Sequence, residues 1–67
     1  MRVSYERLWK LMKANKMKKQ DLAQGAGLSA YMMGQLNKEE YVSLDVIAKL
    51  CKVFHCPIEA IVEIIED

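Results

Sequence analysis

Gly27 separates two short segments of helical periodicity, and this arrangement constrains the fold more than any other feature of the sequence. The first segment runs from Lys19 to Ala26, and the second, with Ser29 as its N-cap, from about Ala30 to Asn37. Because glycine adopts positive φ at little cost, Gly27 favours a helix end followed by a reversal of the chain. The positions that must stay small or apolar for the two helices to cross are Leu22, Ala23, Ala26, Leu28, Met33 and Leu36. Residues 19–38 therefore predict a helix-turn-helix arrangement.

Apolar residues at helical spacing predict a further helix on either side of this pair. The first helix is expected to begin near Ser4, which serves as its cap, and to end at Asn15 and Lys16. The fourth is expected to begin after Ser43, a cap of the same chemistry, and to have its C-cap near His55. The expected buried stripe of the fourth helix consists of Leu44, Ile47, Ala48, Cys51 and Phe54, flanked by Leu50.

The segment after Pro57 has two interpretations. Proline suits the first turn of a helix, so we expect a fifth helix and hence an all-α fold of five helices. The apolar face of that helix consists of Ile58, Ile61, Val62 and Ile65. The stretch from Ile61 to Ile65 is also rich in β-branched residues. Its end is alternatively a short strand that pairs antiparallel with Arg2–Val3.

The size and composition of the chain limit the class of protein. A chain of 67 residues holds a single domain, residues 1–67, with a small core. The hydrophobic share of 52% is that of a globular domain, and no apolar run reaches the roughly 18 residues of a membrane span. We see no secretory signal, and Cys51 and Cys56 are too few to staple a secreted scaffold. These features favour a cytoplasmic protein with no membrane partner.

Charge is divided unevenly along the chain, although the formal net charge is only +1. Residues 1–38 contain eight Lys or Arg and two Asp or Glu, which gives +6. Residues 39–67 contain two Lys or Arg and seven Asp or Glu, which gives −5. A basic half of this kind can follow a phosphate backbone, or it can form an ordinary solvated lysine face. Charge alone leaves both interpretations open.

A resemblance to a known family is carried by four segments, LWKLM at 8–12, MKKQDLAQGAGLSA at 17–30, QLNKEEYVSLDVIAKLCKVF at 35–54 and PIEAI at 57–61. Through them the chain resembles the Cro- and phage-repressor-like (xenobiotic-response-element type) helix-turn-helix regulators, in their compact single-domain branch. The resemblance implies a λ-repressor-like domain of five helices in a bacterial or phage transcription regulator, for which we expect a repressor role. It also implies that a homodimer binds double-stranded DNA. No cofactor is required, and no small-molecule ligand is expected.

By position, the resemblance makes the third helix the recognition helix, which enters the major groove. The residues that it places against base edges are Ser29, Ala30, Tyr31 and Gln35. Gln35 can pair with adenine through two hydrogen bonds, and Ala30 can contact a thymine methyl group. The residues that it places near phosphates, or that add long-range attraction to the backbone, are Lys16, Lys18, Lys19, Asn37 and Lys38.

Three features depart from the family pattern and favour a second hypothesis. Gly34 interrupts the recognition helix at a cost of about 1 kcal/mol relative to alanine, and it removes a side chain from the reading surface. Glu39 and Glu40 follow Lys38 close to the expected path of phosphates. Met32 is expected to be exposed on the third helix. These features are typical of a protein-interaction module, antitoxin-like or accessory, that keeps the fold without reading DNA.

The apolar residues after Pro57 outnumber those that one stripe against a small core requires. The predicted dimer interface consists of Ile58, Ile61, Val62, Ile64 and Ile65. Self-association also stabilises a domain whose core is small. We therefore expect a two-fold homodimer with the fifth helix near its axis. Such a dimer sets its two recognition helices about 34 Å apart, one turn of DNA.

Cys51, His55 and Cys56 are the cluster that raises the question of a metal site. Structural zinc takes four ligands, and no second pair in the sequence supplies the rest, so we expect no bound metal. Cys51 is instead expected in the core, with His55 as a helix cap and Cys56 under the turn. The chain has a single histidine and lacks both paired catalytic carboxylates and a glycine-rich phosphate loop, so we expect no enzyme activity.

Overall fold

The computed structural model describes residues 1–67 as four helices and a two-stranded antiparallel sheet. In chain order the elements are β1 (Arg2–Ser4), α1 (Glu6–Ala14), α2 (Lys19–Ala26), α3 (Ala30–Asn37), α4 (Leu44–Phe54), a 3-10 turn (Ile58–Ala60) and β2 (Glu63–Ile65). The helix-turn-helix arrangement thus lies at the centre of the chain, as the sequence predicts. None of the helices is both long enough and apolar enough to cross a membrane.

The prediction of a fifth helix is wrong, and the alternative prediction of a short antiparallel strand is confirmed. Only the single 3-10 turn forms after Pro57, and β2 then pairs with β1 in a register that sets Arg2 opposite Ile65 and Val3 opposite Ile64. β-Branched side chains lose rotamer freedom in a helix and fit a pleated strand. The N-terminal strand supplies the missing hydrogen-bond partner, and an ion pair of 2.9 Å joins the Met1 amino group to Asp67 at the open end of the sheet.

The same pairing corrects the start of the first helix. Ser4 belongs to β1 and is buried, so α1 begins at Glu6, one residue later than a cap at Ser4 implies. Ser4 still serves the helix, because its hydroxyl accepts a hydrogen bond from the Glu6 amide at 3.3 Å. The end of α1 agrees with expectation, since Ala14 is its last residue and Asn15 its C-cap.

The boundaries of α2, α3 and α4 confirm the predictions made from capping residues. Ser29 accepts a hydrogen bond from the Met32 amide at 3.2 Å, and Ser43 accepts one from the Val46 amide at 3.3 Å. Gly27 has φ of 68° and ends α2 as expected. All four helices end by way of a left-handed residue, and the four residues are Lys16, Gly27, Glu39 and His55. At each end a backbone hydrogen bond spans five residues, as in Schellman caps.

One hydrophobic core joins all the helices and the sheet. The side chains in it that are fully buried are Tyr5, Leu8, Leu22, Leu36, Leu50 and Ile61. The Tyr5 hydroxyl donates a hydrogen bond to the Glu40 carbonyl, which ties the start of α1 to the loop between α3 and α4. Burial raises the pKa of the Tyr5 phenol, so this donor keeps its proton at neutral pH.

The buried stripe of α4 differs from the predicted one. Val46, Ile47 and Leu50 are buried, whereas Leu44 is 72% exposed and Ala48 is also exposed. Leu44 is the first residue of α4 and extends beyond the neighbouring elements. Cys51 and Phe54 pack at the margin of the core and are half-buried. The stripe is therefore rotated toward Val46, a residue that the sequence pattern leaves out.

Gly27 and Gly25 form a matched pair that tests the turn. At both positions an added Cβ meets nothing within 4 Å, but only Gly27 has positive φ. We expect Gly27→Ala to destabilise the domain by about 1–2 kcal/mol, because alanine is strained in the left-handed region. Gly25→Ala, inside α2, should be neutral or stabilise it by up to about 1 kcal/mol. Urea unfolding of both variants measures the difference, and equal effects would contradict this account of the turn.

Candidate nucleic-acid interface

The N-terminal turn of α3 projects from the domain while its inner face is held in the core. Met33 and Leu36 anchor the helix and are buried. On the outside, Ser29 and Ala30 are exposed and the side chain of Tyr31 is 75% exposed. Ser29 already accepts a hydrogen bond from the Met32 amide, so its hydroxyl is oriented with the proton free to donate. This turn can reach into a groove without any change in the packing behind it.

The remainder of α3 is less exposed than the sequence predicts. Gln35 is half-buried one turn after Tyr31, so only part of its side chain is available to a ligand. Met32 is half-buried against the core, and the expectation that it is exposed is wrong. Between them, Gly34 leaves open space, with no atom within 4 Å of the position of a Cβ. The surface of α3 therefore presents the Ser29 and Tyr31 side chains at its N-terminal end, and it is flat around Gly34 because glycine has no side chain.

A cluster of three side chains links the far end of α3 to α1 and α2. The Lys19 ammonium lies 4.6 Å from the centre of the Trp9 ring and donates a hydrogen bond of 2.6 Å to the Asn37 side-chain oxygen. The indole face attracts the cation and limits its motion. Asn37 accepts through its oxygen, so its amide nitrogen remains available as a donor. This Trp9–Lys19–Asn37 cluster holds fixed cationic and amide donors at the surface.

Trp9 is the member of this cluster that sequence analysis does not find. Its partners lie on other helices, and Lys19 and Asn37 are themselves 18 residues apart. No local spacing signals such a contact, because the crossing of α2 and α3 creates it. The only signal in the sequence is a tryptophan in a helix that also carries Arg7, Lys10 and Lys13.

The other expected phosphate ligands surround the cluster. Lys16, in the turn after α1, and Lys18, at the N-cap of α2, are exposed. Lys38 is exposed at the C-cap of α3, beside Asn37. The Lys18 amide donates a hydrogen bond of 2.9 Å to the Asp21 carboxylate, so Asp21 caps the start of α2. The lysines thus lie at the N-terminal end of α2 and the C-terminal end of α3, and the base-edge candidates lie at the other end of α3.

An acidic side chain lies at the edge of the basic cluster. Glu39 lines the same surface depression as Trp9 and Asn37, together with Arg2 of the sheet. Glu39 is exposed, and its backbone is left-handed with φ of 55°. Its carboxylate therefore adds a negative charge to the depression that Trp9 and Asn37 also line.

The predicted dimer residues are not all on the surface. Ile61 is fully buried in the core of its own chain, so the expectation that it lies in a dimer interface is wrong, as is the placement of a fifth helix at the axis. Val62 and Ile65 are half-buried, and Ile58 and Ile64 are exposed by 44% and 55%.

In the cluster of Cys51, His55 and Cys56, His55 is the left-handed C-cap of α4, as expected. No three His, Cys, Asp or Glu side chains come together to hold a metal ion.

The fold and this surface define a helix-turn-helix domain in which α3 exposes its N-terminal turn and basic residues lie near its C-terminal end. Residues 7–67 match the family described as the Cro/C1-type HTH DNA-binding domain, and the chain belongs to that family. A similar solved structure is the crystal structure of transcriptional regulator VanUg, Form II, at 38% identity and a TM-score of 0.93. The match covers 98% of this chain and 88% of that one. No curated protein sequence matches the chain. The protein is accordingly a DNA-binding transcription regulator.

The position of Glu39 leads to a prediction about affinity for DNA. Glu39→Gln is expected to tighten binding to duplex DNA by about two- to fivefold at low salt, because it removes a charge that repels phosphate. The gain should shrink as salt rises, since exposed charges are screened. Fluorescence anisotropy with a labelled duplex measures both effects. Glu66→Gln, an exposed change near the C-terminus, serves as the matched control, and equal gains in the two variants would contradict the assignment.

Proposed function

We propose that this protein is a sequence-specific repressor that binds a two-fold symmetric operator as a homodimer and inserts α3 into the major groove of each half-site. The observation that carries the proposal is the exposed N-terminal turn of α3, backed by a helix whose other face is fixed in the core. A helix held in this way presents its first residues to base edges without a cost in reordering.

The base-reading residues in this proposal are Ser29, Ala30, Tyr31 and Gln35. The Ser29 hydroxyl is a free donor, and the exposed part of the Gln35 amide can form a paired contact with adenine. Ala30 offers a methyl group to thymine, and the exposed Tyr31 ring extends the contact along the groove. These residues lie within the N-cap and the first six positions of α3, and helix-turn-helix proteins direct the N-terminal part of this helix into the groove.

The Trp9–Lys19–Asn37 cluster is proposed as the phosphate clamp that fixes the register of α3. Its position at the opposite end of α3 from Tyr31 gives a separation of roughly 10 Å along the helix axis. The cluster can thus contact the backbone while the N-terminal turn lies in the groove. Lys38 adds a second phosphate contact beside Asn37, and Lys16 and Lys18 contribute longer-range attraction.

The proposed dimer surface is centred on Ile58 and Ile64, with Val62 and Ile65 at its margin. Val3 and Ile64 are directly opposite each other in the sheet, and such partners share a face. Val3 is buried whereas Ile64 is 55% exposed, so the apolar face of the sheet continues past the edge of the domain. A second copy related by a two-fold axis would cover it. Ile61 has no part in this surface.

The competing hypothesis, a protein-interaction module, loses one of its three supports. Met32 is half-buried and so unavailable as an exposed anchor for a partner. Gly34 and the Glu39–Glu40 pair remain in its favour.

Enrichment from a random duplex pool at about 0.15 M salt, where non-specific binding is weak, separates the DNA-binding regulator from the protein-interaction module. Recovery of a symmetric site with half-sites about 34 Å apart supports the regulator, and no enrichment by folded protein supports the module. Repression of a reporter carrying the recovered site then tests the direction of regulation.

Replacing Lys19 and replacing Gln35 are expected to change DNA binding in different ways. Lys19→Ala should weaken binding to all sequences about equally and reduce the salt slope by about one, because one phosphate contact is lost. Gln35→Ala should relax preference at one base pair, by about 1–3 kcal/mol, and leave the salt slope unchanged. Titrations of operator and mutated operator at several salt concentrations measure both. Lys52→Ala on α4 is the control, and a salt slope reduced as much in this variant would remove the special role of Lys19.

Ile64 tests the proposed dimer. Ile64→Asp is expected to leave the domain folded, since the side chain is more than half exposed, but to give a monomer and lower operator affinity at least tenfold at nanomolar protein. Light scattering at micromolar concentration gives the mass. Leu44→Asp, at an exposed apolar residue on α4, is the matched control and should remain dimeric. A wild-type protein that is monomeric both free and on DNA would refute the dimer.

A further inference from the structure

Two cysteines occupy the positions that the end of α4 brings together. His55 leaves the helix with φ of 52°, and the Cys56 amide then donates a hydrogen bond of 3.2 Å to the Cys51 carbonyl. In a helix end of this geometry, the side chains of the two residues that are joined pack against each other. The thiols of Cys51 and Cys56 therefore lie side by side, on a part of the chain that the DNA interface does not use.

The two thiols are neighbours at the margin of the core. Both cysteines are free, half-buried and packed against the core. Burial raises the pKa of the Cys51 thiol, and the neighbouring Cys56 thiol raises it further. The backbone hydrogen bond keeps the two residues at the close approach that a disulfide requires.

We propose that Cys51 and Cys56 form a reversible dithiol–disulfide site that is oxidised by low-molecular-weight disulfides. The thiolate of one of the two cysteines attacks one sulfur of the small disulfide, whose S–S bond breaks and releases one thiolate. The thiol of the other cysteine then loses its proton to solvent and attacks the protein sulfur of this mixed disulfide, which releases the second small thiolate. The two cysteines lose two electrons together, and the small disulfide is reduced to two thiols.

The disulfide links α4 to the segment after Pro57, which contains the 3-10 turn and β2. Pro57 follows Cys56 and leads into the 3-10 turn, after which Ile61 enters the core and β2 pairs with β1. A disulfide between Cys51 and Cys56 closes a short loop at the start of this segment. It thereby restricts the unfolded chain more than the folded one, in which the two residues are already in contact.

Intact-mass measurement in a glutathione redox buffer tests the proposal. At low micromolar protein, wild type should lose about two mass units and carry no adduct, because the second cysteine displaces the bound glutathione. The single variants Cys51→Ser and Cys56→Ser should each retain one glutathione instead. Persistent glutathione on the wild type, covalent dimers on a non-reducing gel, or no reaction at all would each overturn the proposal.

Thermal unfolding provides a second readout on the same samples. Oxidised wild type should melt roughly 5–15 °C above reduced wild type, as expected for a short closed loop in a small domain. The two serine variants should melt at the same temperature in both buffers. A disulfide that forms without raising the melting temperature would mean that it strains the helix end. Neither measurement involves DNA, so the outcome is independent of the proposed function.

Discussion

The position of α3 depends on one backbone conformation, the left-handed residue at Gly27. Because Gly27 reverses the chain, the Leu28 amide can bond back to the Ala23 carbonyl at 2.8 Å, and Leu28 enters the core. Ser29 is then placed to cap α3. The same turn that buries the inner face of α3 therefore exposes its first residues. Stability and the presentation of the reading surface follow from a single local constraint.

The basic surface depends on a different kind of interaction, between side chains that are distant in sequence. The Trp9 ring and the Asn37 amide hold Lys19 from two sides, so three helices contribute to one cationic site. A lysine held in this way loses less freedom when a phosphate binds than one in free solution. Glu39 adds a negative charge to the depression that Trp9 and Asn37 line. The position of the Lys19 ammonium is thus set by tertiary packing, which the count of lysines in the sequence does not show.

Local chemistry accounts for which elements the sequence predicted correctly. Ser29, Ser43 and Gly27 each satisfy backbone groups of their own helix, so the bounds of α2, α3 and α4 could be read directly. The base-edge candidates at the start of α3 follow from those bounds. Met32 could not be placed in this way, because neighbouring elements cover half of it. Leu44 is the opposite case: the sequence predicted it to be buried, but it is exposed because no other element covers the start of α4.

The sequence by itself determined the helices in the middle of the chain, whereas the tertiary structure decided the conformation of its C-terminal end. Between Lys19 and Phe54, caps and turn residues act within a few positions of one another, so the sequence determined the helices by itself. After Pro57, the apolar pattern fits both a helix and a strand. The choice was made by Arg2–Ser4, more than fifty residues away, whose strand satisfies the backbone of Glu63–Ile65. Such a partner exists only once the helices have brought the ends of the chain together, which is why only the tertiary structure could decide it.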